Sequence, residues 1–356
     1  MTSAPRIDVS TSLREKASEP GSQELADLVK TIPSGVLFAT TSDTGSAPAP
    51  DETWQLPGGT ATVHYGTGHQ GIQKPFLFAD GFNHGPSNMP GLYAHLNASG
   101  FLDQARERGH DVILIGFDER HARIQKNAEA VQVAIMRAMA ERLGDERMTV
   151  GGVSRGGIIT RYALLKMEHQ RMDHQTGTYI SVDSPHNGAW IPLILQQLAY
   201  FFESLNPKAE PSQAALIRSD AAQQLLWARV PDSKYSGDVA TASDLRREFV
   251  EELRRMGNFP RIPRLLGVAN GTGDGIGRPL PPGEKAFDWQ IGVASATSRF
   301  QPAKGSDPIT WNVAPDAAVD NESPDRFQLD DFRCDTTNGT HGFVTEPLAA
   351  WILDRI

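Results

Sequence analysis

Apolar and polar positions follow two different periods along this chain. Short runs rich in Val, Ile and Phe indicate strands that are buried on both faces. The runs of this kind are 75–81, 110–118, 148–153 and 178–184. Between them, apolar residues recur every three to four positions and predict helices, which are 92–109, 122–143 and the segment after Ser154. This alternation predicts an α/β fold, a mostly parallel central sheet with helices on both faces.

The first 60 residues predict an N-terminal extension and one strand ahead of the core. Residues 1–30 resemble a loose tail with one short helix, and "GVLFATT" (35–41) is the predicted strand. The Pro- and Gly-rich stretch 45–59 is typical of a loop. "TATVHYG" (60–66) is the next predicted strand, so the core is expected to occupy 61–356.

A helical insertion is predicted at 187–262, where three helical patterns follow one another without a strand. Strand patterns return at 261–271 and near 288–296. The Pro-, Asp- and Asn-rich stretch 303–340 predicts long loops, and 342–356 predicts a final helix. The insertion is expected to emerge at the carboxyl edge of the sheet as a cap.

Composition narrows the classes of partner. The 356 residues carry a formal net charge of -9, which argues against nucleic-acid binding, since that needs clustered Lys and Arg. The single cysteine, Cys334, excludes an intrachain disulfide. The polar N-terminus lacks the apolar core of a signal peptide, so a cytoplasmic location is expected, with a removed signal left open. The apolar stretch 190–205 is interrupted by Gln196 and Gln197, and we expect no membrane contact.

The motif Gly152-Val153-Ser154-Arg155-Gly156 carries the candidate chemistry. It lies between a predicted strand and a predicted helix, the setting of a nucleophilic serine on a sharp turn. Glycines on both sides let the helix pack close to the strand. The helix N-terminus also supplies free N–H groups and the positive end of a dipole. The alternative is an ordinary serine in a tight turn.

A serine nucleophile needs a histidine base, which follows the acid along the chain in this kind of fold. Three histidines follow Ser154 by enough residues to lie on later strands, and they are His174, His186 and His341. His174 lies in a polar loop, and His186 comes too early in the order. His341 lies in a loop just before the last helix, so we expect it to be the base.

Two aspartates compete for the acid position, whose role is to fix the imidazole tautomer and stabilise the imidazolium. Asp274, in "ANGTGDG", follows the first strand after the insertion and is preferred. Asp183 ends the preceding strand and is the alternative. The oxyanion hole needs two N–H donors, which are expected to be the backbone amides of Arg155 and Phe82.

These residues resemble the α/β-hydrolase superfamily, in particular a bacterial group of lipase-like serine hydrolases. The resemblance is carried by Ile124, Gln125 and Asn127 before a helix, by 154–164 with its "RYAL", and by 181–192 with its "DSPH". The segments "SDAAQQLL" and "ANGTGDG" also resemble segments of that bacterial group. The resemblance covers roughly 72–275 and implies an α/β-hydrolase fold, a Ser-acid-His triad and ester or thioester substrates.

Two positions depart from the pattern of that superfamily. Asp80-Gly81 stands where His-Gly is common, and Arg155 follows the serine where Met, Gln, His or Leu is more frequent. An arginine there is expected either to bind an acidic group of the substrate or to pair with a carboxylate of the insertion.

The sequence therefore predicts a serine hydrolase that cleaves a small-molecule carboxylic ester or thioester through an acyl-enzyme on Ser154. An acyltransferase, or an ester- or C–C-cleaving biosynthetic enzyme, would use the same triad. An inactive binding protein with this fold is the third alternative. The cap is expected to form one wall of the acyl pocket, with Leu198 and Phe202 as substrate-binding residues.

No cofactor or metal is expected. The acidic residues between 316 and 335 lack the compact ligand spacing of a calcium loop, and "GTGDGIG" lacks the Lys-Ser/Thr of a phosphate loop. The sequence does not decide the acyl chain, the leaving group or the oligomeric state.

Overall fold

The computed structural model describes most of the chain. The backbone alone is described for residues 7–9, 285–291 and 294–299. The other described residues are 46–189, 191, 195–197, 199–200, 203, 212–226, 228–232, 242–271, 329–336 and 339–356. The predicted strand 35–41 lies outside the described residues, as do Leu198, Phe202 and Asp274.

The described elements alternate as the sequence predicts. The strands are β1 (Ile7–Val9), β2 (Glu52–Leu56), β3 (Gly59–His64), β4 (Pro75–Ala79), β5 (Asp111–Phe117), β6 (Met148–Val153), β7 (Thr176–Val182), β8 (Arg264–Ala269), β9 (Lys285–Ile291), β10 (Ala294–Arg299) and β11 (Asp331–Cys334). The helices are α1 (Met89–Leu96), α2 (Phe101–Glu107), α3 (Ile124–Glu141), α4 (Arg155–His169), α5 (Gln213–Arg218), α6 (Asp220–Leu225), α7 (Asp244–Met256) and α8 (Glu346–Leu353).

Eight of the strands form one sheet in the order β11-β8-β7-β6-β4-β5-β3-β2. All neighbouring pairs are parallel except β2 with β3 and β3 with β5. On one face, alternate residues of the central strands pack against α1, α2 and α8. The intervening residues of β4 and β5 point the other way, because side chains alternate along a strand. The predicted α/β fold class is confirmed.

The edge strand β2 corrects the prediction of a loop over 45–59. Its side chains alternate between buried and more exposed, with Trp54 fully buried. Pro57 and Gly58 form the two-residue connection to β3, and Gly58 has φ +68°. Proline followed by a residue with positive φ is a turn signature, so the same residues that suggested a loop here join two strands.

The single helix predicted over 92–109 is two helices. α1 ends before Asn97, whose side-chain oxygen accepts the amide of Asp103 at 3.0 Å. Gly100 adopts φ +76° at the start of α2, a conformation that interrupts a regular helix. The predicted loop over 303–340 also needs correction, since β11 lies in it and pairs with β8.

The chain divides into two compact units. The first comprises Met1–Ala39, Gly188–Arg247 and Arg278–Glu322, and the second comprises Thr40–Asn187, Glu248–Gly277 and Ser323–Ile356. In the first unit, β1, β10 and β9 form a separate antiparallel sheet, so the predicted strand near 288–296 falls on two strands. The cap at 187–262 and the boundary at residue 60 stay predictions.

Much of the described part of the insertion is helical, and the helical pattern expected over 211–230 is two short helices that meet at Ser219. Residues 195–197, 199–200 and 203 are helical, and α5, α6 and α7 follow. The later part of α7 belongs to the second unit, where Glu252 accepts hydrogen bonds from Tyr162 of α4 and Gln125 of α3. No helix of the described chain has both the length and the apolar character needed to cross a bilayer.

Helix α4 lies unusually close to the sheet at its first turn. A Cβ added to Gly156 would lie 2.2 Å from the carbonyl oxygen of Ala79 in β4, well inside van der Waals contact. Glycine at this position therefore sets the distance between α4 and the centre of the sheet.

Gly156→Ala is expected to destabilise the fold by about 1–3 kcal/mol, because backbone cannot move aside as a side chain can. Gly71→Ala is the control, since its Cβ would meet only the exposed side chain of Leu143 at 3.1 Å. Thermal unfolding of both variants measures the difference. Equal melting temperatures would contradict the close approach of α4.

Candidate active site

Ser154 occupies the turn between β6 and α4. Its backbone has φ 53° and ψ -125°, a combination rare for any residue with a side chain. The amide of Ser154 donates to the carbonyl of Val182 at 2.8 Å, which extends the pairing of β6 with β7. Strain of this kind costs roughly 1–3 kcal/mol and persists only where the surrounding fold imposes it.

The hydroxyl of Ser154 faces His341. The distance between Ser154 Oγ and His341 Nε2 is 2.8 Å. His341 Nδ1 lies 2.6 Å from Asp183 Oδ2. Ser154, His341 and Asp183 are thus joined by two consecutive hydrogen bonds, and the imidazole remains partly exposed to solvent.

Asp183 follows β7 directly and also has a positive φ, 48°. Its amide donates to Val268 of β8 at 2.8 Å, and its carboxylate accepts the amides of Gly342 at 3.0 Å and Asn270 at 3.3 Å. Burial raises the pKa of this carboxyl. The hydrogen bond and charge of His341, with the two amides, outweigh burial and hold the pKa below its usual value.

Of the two acid candidates, the structure brings Asp183 to the histidine. Asp274, the preferred candidate from the sequence, lies outside the described residues. Asn270 follows β8 directly, and its backbone amide donates to the carboxylate of Asp183. Sequence order alone gave no way to rank two carboxylates that each follow a neighbouring strand.

The loop that carries His341 is held along its backbone. Asn270 binds it on both sides, because its carbonyl accepts the amide of Gly339 at 3.0 Å and its Nδ2 donates to the carbonyl of Phe343 at 2.6 Å. His95 Nε2 lies 3.1 Å from the carbonyl of Gly342, and Ser99 donates to that of Val344. Three consecutive carbonyls after His341 are therefore each bound by a side chain from outside the loop.

A second Ser–His pair lies nearby, with Ser181 Oγ 2.8 Å from His186 Nε2. In this pair the hydrogen bond runs from the histidine to the serine, opposite to the direction that a catalytic base requires. Arg161 Nη1 approaches His186 Nδ1 at 3.3 Å, so Nδ1 must accept and Nε2 must carry the proton. Loss of solvent and the charge of Arg161 hold the pKa of His186 well below its ordinary value. His186 therefore donates to Ser181 and cannot take its proton.

The third histidine considered, His174, lies in the loop between α4 and β7, where its side chain is fully buried. Its Nδ1 accepts the amide of Thr176, and its Nε2 faces Glu168 at 3.2 Å. Both ring nitrogens are therefore engaged in local structure.

The two expected oxyanion donors lie on segments that adjoin Ser154. Arg155 begins α4, and the first amides of a helix have no acceptor within the helix. Phe82 follows Gly81, where an added Cβ would lie 3.4 Å from the Cβ of Ser154. These positions are consistent with the two amides facing one point, and the assignment stays a prediction.

The side chain of Arg155 does neither of the things expected from the sequence. It is fully buried, and its Nη1 donates to the carbonyl of Arg120 at 2.8 Å while its Nη2 donates to that of Ala122. The guanidinium therefore braces the segment before α3.

The order of strands, the glycine-packed serine turn after β6 and the histidine after β11 together decide the fold. This chain has the α/β-hydrolase fold. The fold implied by the sequence resemblance is confirmed, and the nucleophile, acid and base candidates stand in the order Ser154, Asp183, His341.

Several solved α/β-hydrolase structures are similar to this chain at low identity. Carboxyl esterase 2 from the mycorrhizal fungus Tuber melanosporum shares 15% identity, with a TM-score of 0.42 over 92% of this chain and 91% of that one. Lipase BlEst2 from Bacillus licheniformis, in its propeptide form, shares 16%, with a TM-score of 0.37 over 62% and 41%. Est1E from Butyrivibrio proteoclasticus shares 13%, with a TM-score of 0.27 over 35% and 46%.

The match therefore spans less than half the length of the last two proteins. No protein-family model matches the sequence. No curated protein matches it either. Among the residues that the structure describes, no cluster of three or more His, Cys, Asp or Glu side chains is placed to hold a metal ion.

Asp183→Asn is expected to lower kcat by about 10³–10⁴-fold, because an amide cannot stabilise the imidazolium and can favour the wrong tautomer. Asp274→Asn is the matched control and is expected to retain most of the activity. Steady-state kinetics on an aryl ester measures both. The assignment of Asp183 is wrong if Asp274→Asn is the crippling variant.

Asn270→Ala is expected to lower kcat about tenfold at nearly constant KM. It removes the bond to Phe343 but keeps the backbone bonds to Asp183 and Gly339, so the His341 loop loosens while substrate contacts remain. Leaving the partly buried Phe343 carbonyl unpaired is expected to cost about 1 kcal/mol of stability. Ser99→Ala, which frees the carbonyl of Val344 further from His341, is the control. A change in KM alone would argue against a positioning role.

Proposed function

We propose that this protein is a serine hydrolase that cleaves a carboxylic ester through an acyl-enzyme on Ser154. The observation that carries the proposal is the pair of hydrogen bonds, 2.8 Å and 2.6 Å, that joins Ser154 Oγ to His341 and His341 to Asp183. Nucleophile, base and orienting acid in this arrangement are the parts that acyl transfer needs.

In the first half of the reaction, Ser154 Oγ attacks the ester carbonyl carbon while His341 Nε2 takes the hydroxyl proton. Asp183 accepts from Nδ1–H, which leaves Nε2 free to act as base. The carbonyl oxygen becomes an oxyanion, which the amides of Arg155 and Phe82 are proposed to bind. Collapse of this intermediate breaks the bond to the alcohol, which leaves with the proton from His341.

In the second half, His341 removes a proton from water, and the resulting hydroxide adds to the acyl carbon. The second tetrahedral intermediate expels Ser154 Oγ, which regains its proton from His341, and the carboxylic acid is released. The lowered pKa of Asp183 keeps this carboxyl ionised at neutral pH, as stabilising the imidazolium requires in both halves.

The same machinery accepts a thioester, since a thiolate is a better leaving group than an alkoxide. An acyltransferase shares the first half and differs only in the acceptor of the second. The intact hydrogen-bond chain favours an active enzyme over an inactive binding protein. The substrate contacts of Leu198 and Phe202, and the cap as a wall of the acyl pocket, remain predictions.

Ser154→Ala is expected to abolish labelling by a fluorophosphonate probe and to lower aryl-ester hydrolysis by several orders of magnitude, because the attacking oxygen is gone. Ser181→Ala is the matched control, since its hydroxyl also faces a histidine at 2.8 Å but accepts rather than gives the proton. Labelling of the Ser154→Ala variant would show that Ser154 is not the nucleophile.

A panel of aryl esters with increasing acyl chain length, run on the wild-type protein, then defines the acyl preference. Release of aryl alcohol that is faster in the presence of an added alcohol, with formation of the new ester, would assign acyl transfer instead of hydrolysis.

A further inference from the structure

The two departures from the α/β-hydrolase pattern, Asp80 and Arg155, lie beside each other in the fold. Asp80 follows β4 directly, and Arg155 begins α4. The two segments are in contact, because a Cβ added to Gly156 would lie 2.6 Å from the carbonyl oxygen of Asp80. Both side chains are buried, with exposures of 1% and 0%. A buried carboxylate and a buried guanidinium thus belong to the two residues that flank Gly81 and Ser154, respectively, on segments that contact each other.

The carboxylate of Asp80 holds the loop that carries Phe82. Oδ1 accepts the amide of Gly81 at 2.7 Å, and Oδ2 accepts the hydroxyl of Ser87 at 2.7 Å. Arg120 Nη1 lies 3.7 Å from Oδ2, and this pair is buried as well. The carboxylate of Asp80 therefore anchors both ends of the segment between Gly81 and Ser87.

Arg155 and Arg120 are themselves joined. Arg155 Nη1 donates to the carbonyl of Arg120 at 2.8 Å, and Arg120 donates to the carbonyl of His84, beyond Phe82 in the oxyanion loop. Burial lowers the pKa of Arg155 to about 9, and the charge of Asp80 opposes that shift. Arg155 therefore remains a cation at neutral pH.

A buried carboxylate so close to an oxyanion would oppose catalysis unless its charge were neutralised. One carboxylate and two guanidinium groups leave the set with a net positive charge, which favours an anionic transition state. We infer that Asp80, Arg120 and Arg155 form one buried charge cluster that positions the Phe82 and Arg155 amides and cancels the charge of Asp80. This inference rests on the proposed function, because it concerns the oxyanion hole of the same site.

The three side chains act as positioning residues, since none of them touches the reacting atoms in this account. Arg155 is thereby separated from substrate recognition, because its guanidinium is occupied by two backbone carbonyls and is closed to solvent. Asp80 and Arg155 therefore belong to one set of buried charges: loss of Arg155 would leave one guanidinium, that of Arg120, beside Asp80, and loss of Asp80 would remove the carboxylate of the set.

A double-mutant cycle tests the cluster. Arg155→Met is expected to lower kcat on an aryl ester by about 10- to 100-fold with little change in KM, since it removes one of the two cations that offset Asp80 and the set loses its net positive charge. Asp80→Asn combined with Arg155→Met is expected to recover most of that loss, because the amide keeps the shape without the charge. Arg155→Lys, which keeps the charge but not both hydrogen bonds to backbone carbonyls, is expected to lose less activity than Arg155→Met.

Arg161→Met is the matched control, because Arg161 is another fully buried arginine of α4 that binds the carbonyl of Asn258. Asp80→Asn should give no recovery in that background. If Arg155→Met fails to fold, Arg120→Met takes its place in the same cycle. A double variant as slow as Arg155→Met, or slower, would overturn the cluster.

Thermal unfolding of the same variants separates this inference from the proposed function. If the wild-type protein is neither labelled nor active on esters, the proposed function fails. The cluster still predicts that Asp80→Asn raises the melting temperature of Arg155→Met but lowers that of the wild type. Additive losses in melting temperature would overturn the cluster whatever the activity.

Discussion

The strained backbone of Ser154 is the constraint on which the rest of the site depends. A serine at φ 53° and ψ -125° is stable only because β6 pairs with β7 through its amide and α4 packs against β4 through Gly156. The same turn places the hydroxyl at the carboxyl edge of the sheet and puts the first amides of α4 beside it. A side chain at position 156 would push α4 away from the sheet. Both the position of the Ser154 hydroxyl and that of the first amides of α4 would then be lost.

The positions of the acid and the base also depend on the carboxyl edge of the sheet. Asp183 ends the strand next to Ser154, and its own positive φ turns the carboxylate toward the loop of His341. Asn270, from the next strand, binds that loop on both sides of the histidine. Adjacent parallel strands thus supply the nucleophile, the acid and a positioning amide in order, so the geometry of the site follows from the register of the sheet.

The sequence predicted the central strands, helices α3 and α4, and the positions of Ser154 and His341, because each rests on a local pattern or on chain order. It missed β2, since Pro57 and Gly58 signal a turn without saying whether strands flank it. It missed the interruption at Gly100 for a similar reason, because apolar spacing continues across it. The choice between Asp183 and Asp274 could not be predicted, since it depends on the path of a loop rather than on residue type. The buried position of Arg155 could not be predicted from the sequence either, because no local pattern shows which carbonyls a guanidinium will bind.

The covalent intermediate on Ser154 is the central claim, and it can be observed directly. Acid-quenching the wild-type protein during turnover of an activated aryl ester, followed by mass spectrometry of the digested chain, locates the acyl group. We expect a burst of aryl alcohol close to one equivalent and an acyl mass on the peptide that contains Ser154. An acyl group on a different peptide, or hydrolysis that continues undiminished in Ser154→Ala, would contradict it.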